Sequence, residues 1–85
     1  TLNLEVFPNP NNGNASVKFN VLAPQVIQME LVDVLGNSIN SITENYKTGQ
    51  HNISLNTFSK NIKPGMYFIN CTIGNYRETK RVIVY

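Results

Sequence analysis

Apolar and polar residues alternate along most of the chain, which is the pattern of β-strands that bury one face. The cleanest example lies in residues 15–21, where Ala15, Val17, Phe19 and Val21 share one side and polar residues occupy the other. Similar alternation recurs between turn signals spaced about eight to twelve residues apart. It predicts strands over residues 2–7, 15–21, 26–34, 51–56, 66–73 and 76–85.

The stretch from residue 38 to residue 49 fits this pattern less well. Ile39 and Ile42 are three positions apart, so neither face of a strand over residues 38–43 is continuously apolar. We therefore expect an edge strand or a β-bulge there. Residues 44–49 are predicted to form a loop, which places Tyr46 outside the strands.

Helical spacing appears around residues 57–64, where apolar residues lie three and four positions apart. These residues are Leu55, Phe58 and Ile62. The spacing predicts one short helical turn that closes over an end of the fold. Pro64 and Gly65 then end this turn.

Turn signals define the fold class. Asp33 and Gly36 hold the first and fourth positions of a predicted type I turn, and Gly74-Asn75 favours a two-residue hairpin turn. About seven strands joined in this way predict an all-β fold, an antiparallel immunoglobulin-like β-sandwich in two sheets. A small barrel is the alternative. We expect one domain over residues 1–85, with a core comprising Val17, Phe19, Met29, Leu31, Tyr67, Ile69, Cys71 and Val82.

The composition agrees with a sheet and suggests export. Val, Ile and Thr number 8, 8 and 6 against two Ala, and β-branched residues favour strands over helices. Charged residues make up only 14%, while Asn alone accounts for 14 positions, a balance common in extracellular β-modules. The basic residues are scattered, so no nucleic-acid partner is expected. No apolar run long enough for a transmembrane helix and no signal peptide occur, so we expect a fragment of a larger secreted protein.

The sequence offers little for catalysis or for a cofactor. His51 is the single histidine and Cys71 the single cysteine, so neither a zinc site nor an internal disulfide is expected. We predict a structural or surface role for His51 and a buried position for Cys71, with an exposed reactive thiol as the alternative. Residues 9–14 supply amide oxygens but no carboxylate, which makes a calcium loop a weak alternative. We expect no enzyme activity, no catalytic residue, no metal and no cofactor.

Two further features of the sequence have both a functional and a structural interpretation. Four tyrosines could form a carbohydrate-binding platform, but their separation in sequence favours packing and edge positions: Tyr46, Tyr67, Tyr76 and Tyr85. Three N-x-S/T sequons begin at Asn14, Asn52 and Asn70. So many Asn, Ser and Thr residues produce some sequons by chance, and Asn70 lies within a predicted strand.

Several short motifs, in order and at the right spacing, resemble those of a known family. The first motif is a V-F-P-N-P turn followed by a glycine, which resembles the opening of the family's domains. It contains Pro8, Asn9, Pro10 and Gly13. Asp33 with Gly36, and then Gly65 with Tyr67, are similar to the family's later turn and strand start. The chain closes on a basic and then apolar segment: Lys80, Arg81, Val82, Ile83, Val84 and Tyr85. Together these motifs resemble the C-terminal sorting domains, type A, of the type IX (Por) secretion system of Bacteroidetes.

The resemblance implies a secretion signal rather than an enzyme. It implies an N-terminal cargo domain that is carried through the periplasm and across the outer membrane to the cell surface or the medium. Its implied partners are the outer-membrane translocon and a sortase-like peptidase that removes the domain, often with attachment of the cargo to the surface. Residues 80–85, which we expect to form a terminal strand with a free edge, are the candidate for translocon recognition. The alternatives are a fibronectin-like or carbohydrate-binding module of a secreted enzyme and a passive spacer.

Overall fold

The computed structural model describes residues 2–85 as two antiparallel β-sheets. The first sheet has the strand order β1-β2-β5 and the second has the order β4-β3-β6-β7. This arrangement confirms the predicted immunoglobulin-like sandwich, and the two separate sheets exclude the small barrel. The elements are β1 (Glu5–Phe7), β2 (Ser16–Val21), β3 (Gln25–Asp33), β4 (Ser38–Tyr46), β5 (Gly49–Ser54), a 3-10 helix (Leu55–Thr57), β6 (Gly65–Ile73) and β7 (Tyr76–Val84).

The core lies between the sheets and is built from alternate residues of the inner strands, as the sequence pattern predicts. Seven of the eight predicted core residues are buried: Val17, Phe19, Met29, Leu31, Ile69, Cys71 and Val82. Full burial of one such aliphatic or aromatic side chain stabilises the fold by about 1.5–3 kcal/mol. The hydrophobic contact between the two sheets therefore provides the main driving force for folding.

Tyr67 is the exception, and its prediction as a core residue was wrong. Its ring is only half-buried against the core, and its hydroxyl donates a hydrogen bond to the Lys63 carbonyl at 2.6 Å. A phenol hydroxyl needs a polar partner, so a ring at this position turns toward the edge of the sandwich. A tyrosine near the start of this strand, bonded to backbone a few residues upstream, is the tyrosine corner of immunoglobulin-like folds.

Strand β4 is both an edge strand and a bulged strand. Leu31 pairs with Asn40 and Val32 with Ser38, so Ile39 is the extra residue opposite β3. The strand also continues to Tyr46, beyond the predicted end at residue 43. Tyr46 was therefore wrongly placed in a loop: it is buried, with its ring 5.1 Å from that of Phe19 in an edge-to-face contact. An aromatic contact across the sandwich favours continued pairing here over a loop.

The helical turn lies earlier in the chain than the spacing predicts. Strand β5 ends at Ser54, whose hydroxyl accepts a hydrogen bond from the Asn56 N–H at 3.3 Å and caps the 3-10 helix. Leu55 and Phe58 are buried at this end of the core, as expected. A serine that can cap a helix therefore decides where the strand stops.

Burial gives Cys71 a testable property. Its thiol lies fully inside the core. Burial raises the pKa of this thiol to about 12, and the nearby negative charge of Glu78 makes a smaller contribution in the same direction. A thiolate is the reactive form, so the folded protein should react with a thiol reagent such as iodoacetamide at pH 8 only through unfolding. Alkylation followed by mass spectrometry should show negligible modification in buffer and complete modification in urea. Rapid labelling of the folded protein would contradict this position of the thiol.

Candidate recognition surface

The loop between β1 and β2 lies along the outer edge of the last strand. We call residues 8–13 the Pro-Asn loop. The Asn9 side chain spans two backbone groups of β7: its Nδ2 donates to the Arg81 carbonyl at 2.8 Å, and its Oδ1 accepts from the Ile83 N–H at 3.0 Å. A side-chain amide used in this way replaces the hydrogen bonds that a neighbouring strand would make.

Asn11 continues the contact and is almost completely buried, with 1% of its surface exposed. Its backbone N–H donates to the Ile83 carbonyl at 2.9 Å, and its carbonyl accepts from the Tyr85 N–H at 2.8 Å. Its side chain holds the loop itself, accepting from the Gly13 N–H at 2.8 Å and donating to the Pro8 carbonyl at 3.2 Å. All the polar groups of Asn11 are thus paired, as burial of a polar residue requires.

This contact corrects one expectation. The terminal strand does not present a free edge over residues 81–85, because the Pro-Asn loop occupies that edge through four hydrogen bonds. The amide oxygens considered for calcium already accept hydrogen bonds from protein groups: those of Asn9 and Asn11 as above, that of Asn12 from the Asn14 N–H, and that of Asn14 from Asn56 Nδ2. The amide oxygens of these side chains are therefore used in contacts within the protein.

The other motifs meet at the same end of the second sheet. Asp33, the last residue of β3, pairs with Tyr67 of β6, and Tyr67 pairs in turn with Val82 of β7. Gly65 pairs with Val84, which bridges to Asn11 in the Pro-Asn loop. Motifs that are far apart in sequence therefore form one continuous region, the motif end, comprising residues 8–13, 33–37, 65–67 and 80–85.

The β3–β4 turn at the motif end is held rigidly by Asp33. One carboxylate oxygen accepts from the Leu35 and Asn37 N–H groups at 2.9 and 2.8 Å, and the Gly36 N–H donates to the Asp33 carbonyl at 3.0 Å. Gly36 has φ 88°, a left-handed conformation that favours glycine. At the tip of this turn, 63% of Val34 and 83% of Leu35 remain exposed. A fixed turn therefore presents two aliphatic side chains to solvent.

The candidate recognition residues of the last strand divide into two sets. Val82 and Val84 are buried in the core, whereas Lys80, Arg81 and Tyr85 are exposed and Ile83 is half-buried. Arg81 pairs with Phe68 of β6, and alternation along the strands places both on the outer face. An open groove beside them is lined by Asn9, Phe68, Thr79, Lys80 and Arg81. Only the exposed set is available to a partner while the domain is folded.

The remaining candidate residues have structural roles or lie apart. His51 Nε2 lies 2.7 Å from the Lys47 carbonyl, and its ring stacks on Phe19 at 5.4 Å between centroids. The two exposed tyrosines, Tyr76 and Tyr85, lie at opposite ends of nine-residue β7, roughly 30 Å apart, so they do not form one sugar platform. Within residues 2–85, no three His, Cys, Asp or Glu side chains group as metal ligands would.

Sequence reasoning missed two residues that organise the fold. Nothing in the sequence separates buried Asn11 from its exposed neighbour Asn12, because the difference arises only on contact with β7. Glu78 accepts hydrogen bonds from the Leu4 N–H at 2.9 Å, the Tyr76 hydroxyl at 3.0 Å and the Leu2 N–H at 3.3 Å. Its one signal in the sequence is its alternation with Val82 and Val84, which places a carboxylate among the inward positions of β7.

Replacement of Asn11 should destabilise the domain through the loop contact. Asn11→Ala removes two buried side-chain hydrogen bonds, so the free energy of unfolding should fall by about 1–3 kcal/mol. Asn12→Ala is the matched control, because Asn12 is exposed and its side-chain oxygen accepts an exposed hydrogen bond from the Asn14 N–H. Urea denaturation of both variants should show a clear loss for Asn11→Ala alone. Equal midpoints would contradict the role of the Pro-Asn loop.

Acid should weaken the β3–β4 turn. Hydrogen bonds from the Asn37 backbone and side chain, and from the Leu35 and Gly36 backbone, lower the pKa of Asp33 despite an opposing effect of desolvation. Because the folded-state pKa lies below the ordinary value near 4, this stabilisation is complete above that value and is lost as pH falls through the folded pKa. Urea midpoints between pH 6 and pH 2 should therefore fall less in Asp33→Asn than in the wild type or in Glu44→Gln. An identical acid-side slope in all three would contradict this assignment.

Comparison with known proteins agrees with this geometry. Within residues 2–85, no helix has the length and apolar character needed to cross a membrane. A search of curated proteins found no match. Residues 5–85 match the family model described as a secretion system C-terminal sorting domain, which covers nearly all of the chain and includes every motif of the motif end. The chain therefore belongs to the family of C-terminal sorting domains of the type IX (Por) secretion system.

Proposed function

We propose that this domain carries an N-terminal cargo through the periplasm to the type IX translocon, which reads the motif end and passes the cargo across the outer membrane. A sortase-like peptidase then removes the domain, and the cargo is attached to the cell surface or released. By family membership, the chain is a type IX secretion sorting signal of a secreted or cell-surface protein. The family is one of sorting signals rather than of enzymes.

The convergence of the motifs at one end supports this choice of contact surface. The Pro-Asn loop and the start of β6 adjoin the end of β7, and the β3–β4 turn lies one strand further away, next to the start of β6. Their exposed side chains combine aliphatic and cationic groups, with Val34 and Leu35 on the turn and Lys80, Arg81 and Tyr85 on the last strand. Hydrogen bonds fix the backbone beneath them, so little conformational entropy is lost when a partner binds.

Deletion of residues 80–85 alone does not test this surface. The deletion removes the buried side chains of Val82 and Val84, at about 1.5–3 kcal/mol each. It also removes the strand that the Pro-Asn loop holds. We expect such a truncated cargo fusion to remain in the periplasm, but loss of folding and loss of recognition would give the same result.

Surface variants separate the two causes. Lys80→Ala/Arg81→Ala removes two exposed cations and should change the free energy of unfolding by no more than about 0.5–1 kcal/mol. Lys47→Ala/Arg77→Ala is the matched control, because it removes the same charge from the opposite end of the sandwich. Cargo fused to each variant should be assayed at the cell surface of a Bacteroidetes host. We expect at least about tenfold less surface cargo for Lys80→Ala/Arg81→Ala only, as the loss of a contact worth ~1.4 kcal/mol would give.

A Val34→Ser/Leu35→Ser variant extends the same assay to the β3–β4 turn. Both residues are exposed, so the domain should stay folded while an apolar contact with the translocon is lost. Normal export of both folded surface variants would contradict recognition through the motif end, whereas failure of the Lys47→Ala/Arg77→Ala control would point to a general charge effect.

A further inference from the structure

The first residues of the domain are docked on the fold before the first strand begins. Strand β1 starts at Glu5, yet Leu2 and Leu4 are only 2% and 3% exposed. The Leu2 carbonyl accepts a hydrogen bond from the Asn20 N–H at 2.7 Å. Residues 2–4 are therefore packed into the sandwich without belonging to either sheet.

The carboxylate of Glu78 holds this segment. Its Oε2 accepts from the Leu4 N–H at 2.9 Å, and its Oε1 accepts from the Leu2 N–H at 3.3 Å and the Tyr76 hydroxyl at 3.0 Å. Each carboxylate oxygen thus takes one backbone donor of the N-terminal segment, and hydrogen bonds to a charged acceptor are stronger than those between neutral groups. One side chain of the last strand therefore holds residues 2–4 against the fold.

A peptidase cannot cut a segment held in this way. Proteolysis requires the chain to leave its folded contacts, so the rate of cutting follows the population of a locally opened state. Opening residues 2–4 exposes two buried leucines and breaks the bonds to Glu78. Residues 5–7 are protected in addition by pairing with β2.

We propose that Glu78 sets the C-terminal limit of processing: it closes the peptide bonds of residues 2–4 to a peptidase, while the pairing of β1 with β2 closes those of residues 5–7, so that removal of the domain is confined to chain on the N-terminal side of Leu2. Glu78 is here a positioning residue: it holds residues 2–4 on the fold and takes no part in bond cleavage. The peptidase itself rests on the proposed function, whereas the protection of residues 2–7 does not.

The experiment uses a reporter domain joined to Thr1 through a flexible linker that contains leucine. Thermolysin, which cuts before large apolar residues, is added at low dose, and the fragments are identified by intact mass. The linker site serves as the internal reference for protease activity. Wild type should be cut in the linker alone, while Glu78→Ala should be cut before Leu4 at least about tenfold faster than wild type. Tyr76→Phe, which leaves both backbone bonds of Glu78 in place, is the matched control and should behave as wild type.

Amide hydrogen exchange distinguishes local opening of residues 2–4 from a loss of global stability. In Glu78→Ala, or in the isosteric Glu78→Gln if alanine prevents folding, the Leu2 and Leu4 amides should lose more protection than the Cys71 amide in the core. Equal losses at all three amides, or wild-type cutting before Leu4 as fast as in the linker, would overturn the proposal.

In the host, the released wild-type cargo should end before Leu2, and an end within residues 2–7 would also overturn it. Failure of export with the protection intact would instead contradict the proposed function alone.

Discussion

The contact between the Pro-Asn loop and the outer edge of β7 is the constraint on which the rest of this structure depends. A terminal strand at a sheet edge exposes unpaired N–H and C=O groups that invite pairing with other chains. Here Asn9 and Asn11 occupy that edge over residues 81–85 through both side-chain and backbone groups. Buried Asn11 joins the start of the domain to its last strand, and Val82 and Val84 can then fill the core from a strand held on both sides.

Because of this arrangement, a recognition signal in this chain would be a folded surface rather than a linear peptide. A basic and apolar tail would be readable as a linear peptide, but two of its four apolar residues are inside the core. What remains exposed is a surface assembled from the last strand, the β3–β4 turn and the Pro-Asn loop. Such a surface exists only in the folded domain, so recognition of the motif end would also report that the domain has folded. The same strand carries Glu78, which holds residues 2–4 against the fold. The N-terminal segment and the motif end therefore both depend on β7.

The sequence predicted the fold well because burial in a sandwich follows a local pattern. Alternation in β2 placed Val17 and Phe19 correctly, and the same rule found Ile69 and Cys71 in β6. It failed at Tyr67, where the need of a hydroxyl for a partner overrides the period of two. It also failed at Tyr46, where an aromatic contact across the sandwich extends β4 past its polar stretch.

The candidate site was only partly predictable for a different reason. Family resemblance identified Asn9 and the terminal strand separately, but their hydrogen bonds join residues 72 and 74 positions apart, a separation at which no local pattern exists. Glu78 and Leu2 are 76 positions apart and were missed for the same reason. Side-chain bonds to distant backbone depend on the closed sandwich and cannot be inferred from neighbours in sequence.

The most direct test of this account is the hydrogen exchange of two amides on the outer edge of β7, measured by NMR in the wild-type domain. The Ile83 N–H donates to Asn9 Oδ1 and the Tyr85 N–H donates to the Asn11 carbonyl. If the Pro-Asn loop closes this edge, the Ile83 amide should exchange nearly as slowly as the Cys71 amide in the core, and the Tyr85 amide should be strongly protected although it follows the last strand residue. Exchange of both amides at the rate of an unstructured peptide would show an open edge and contradict the account.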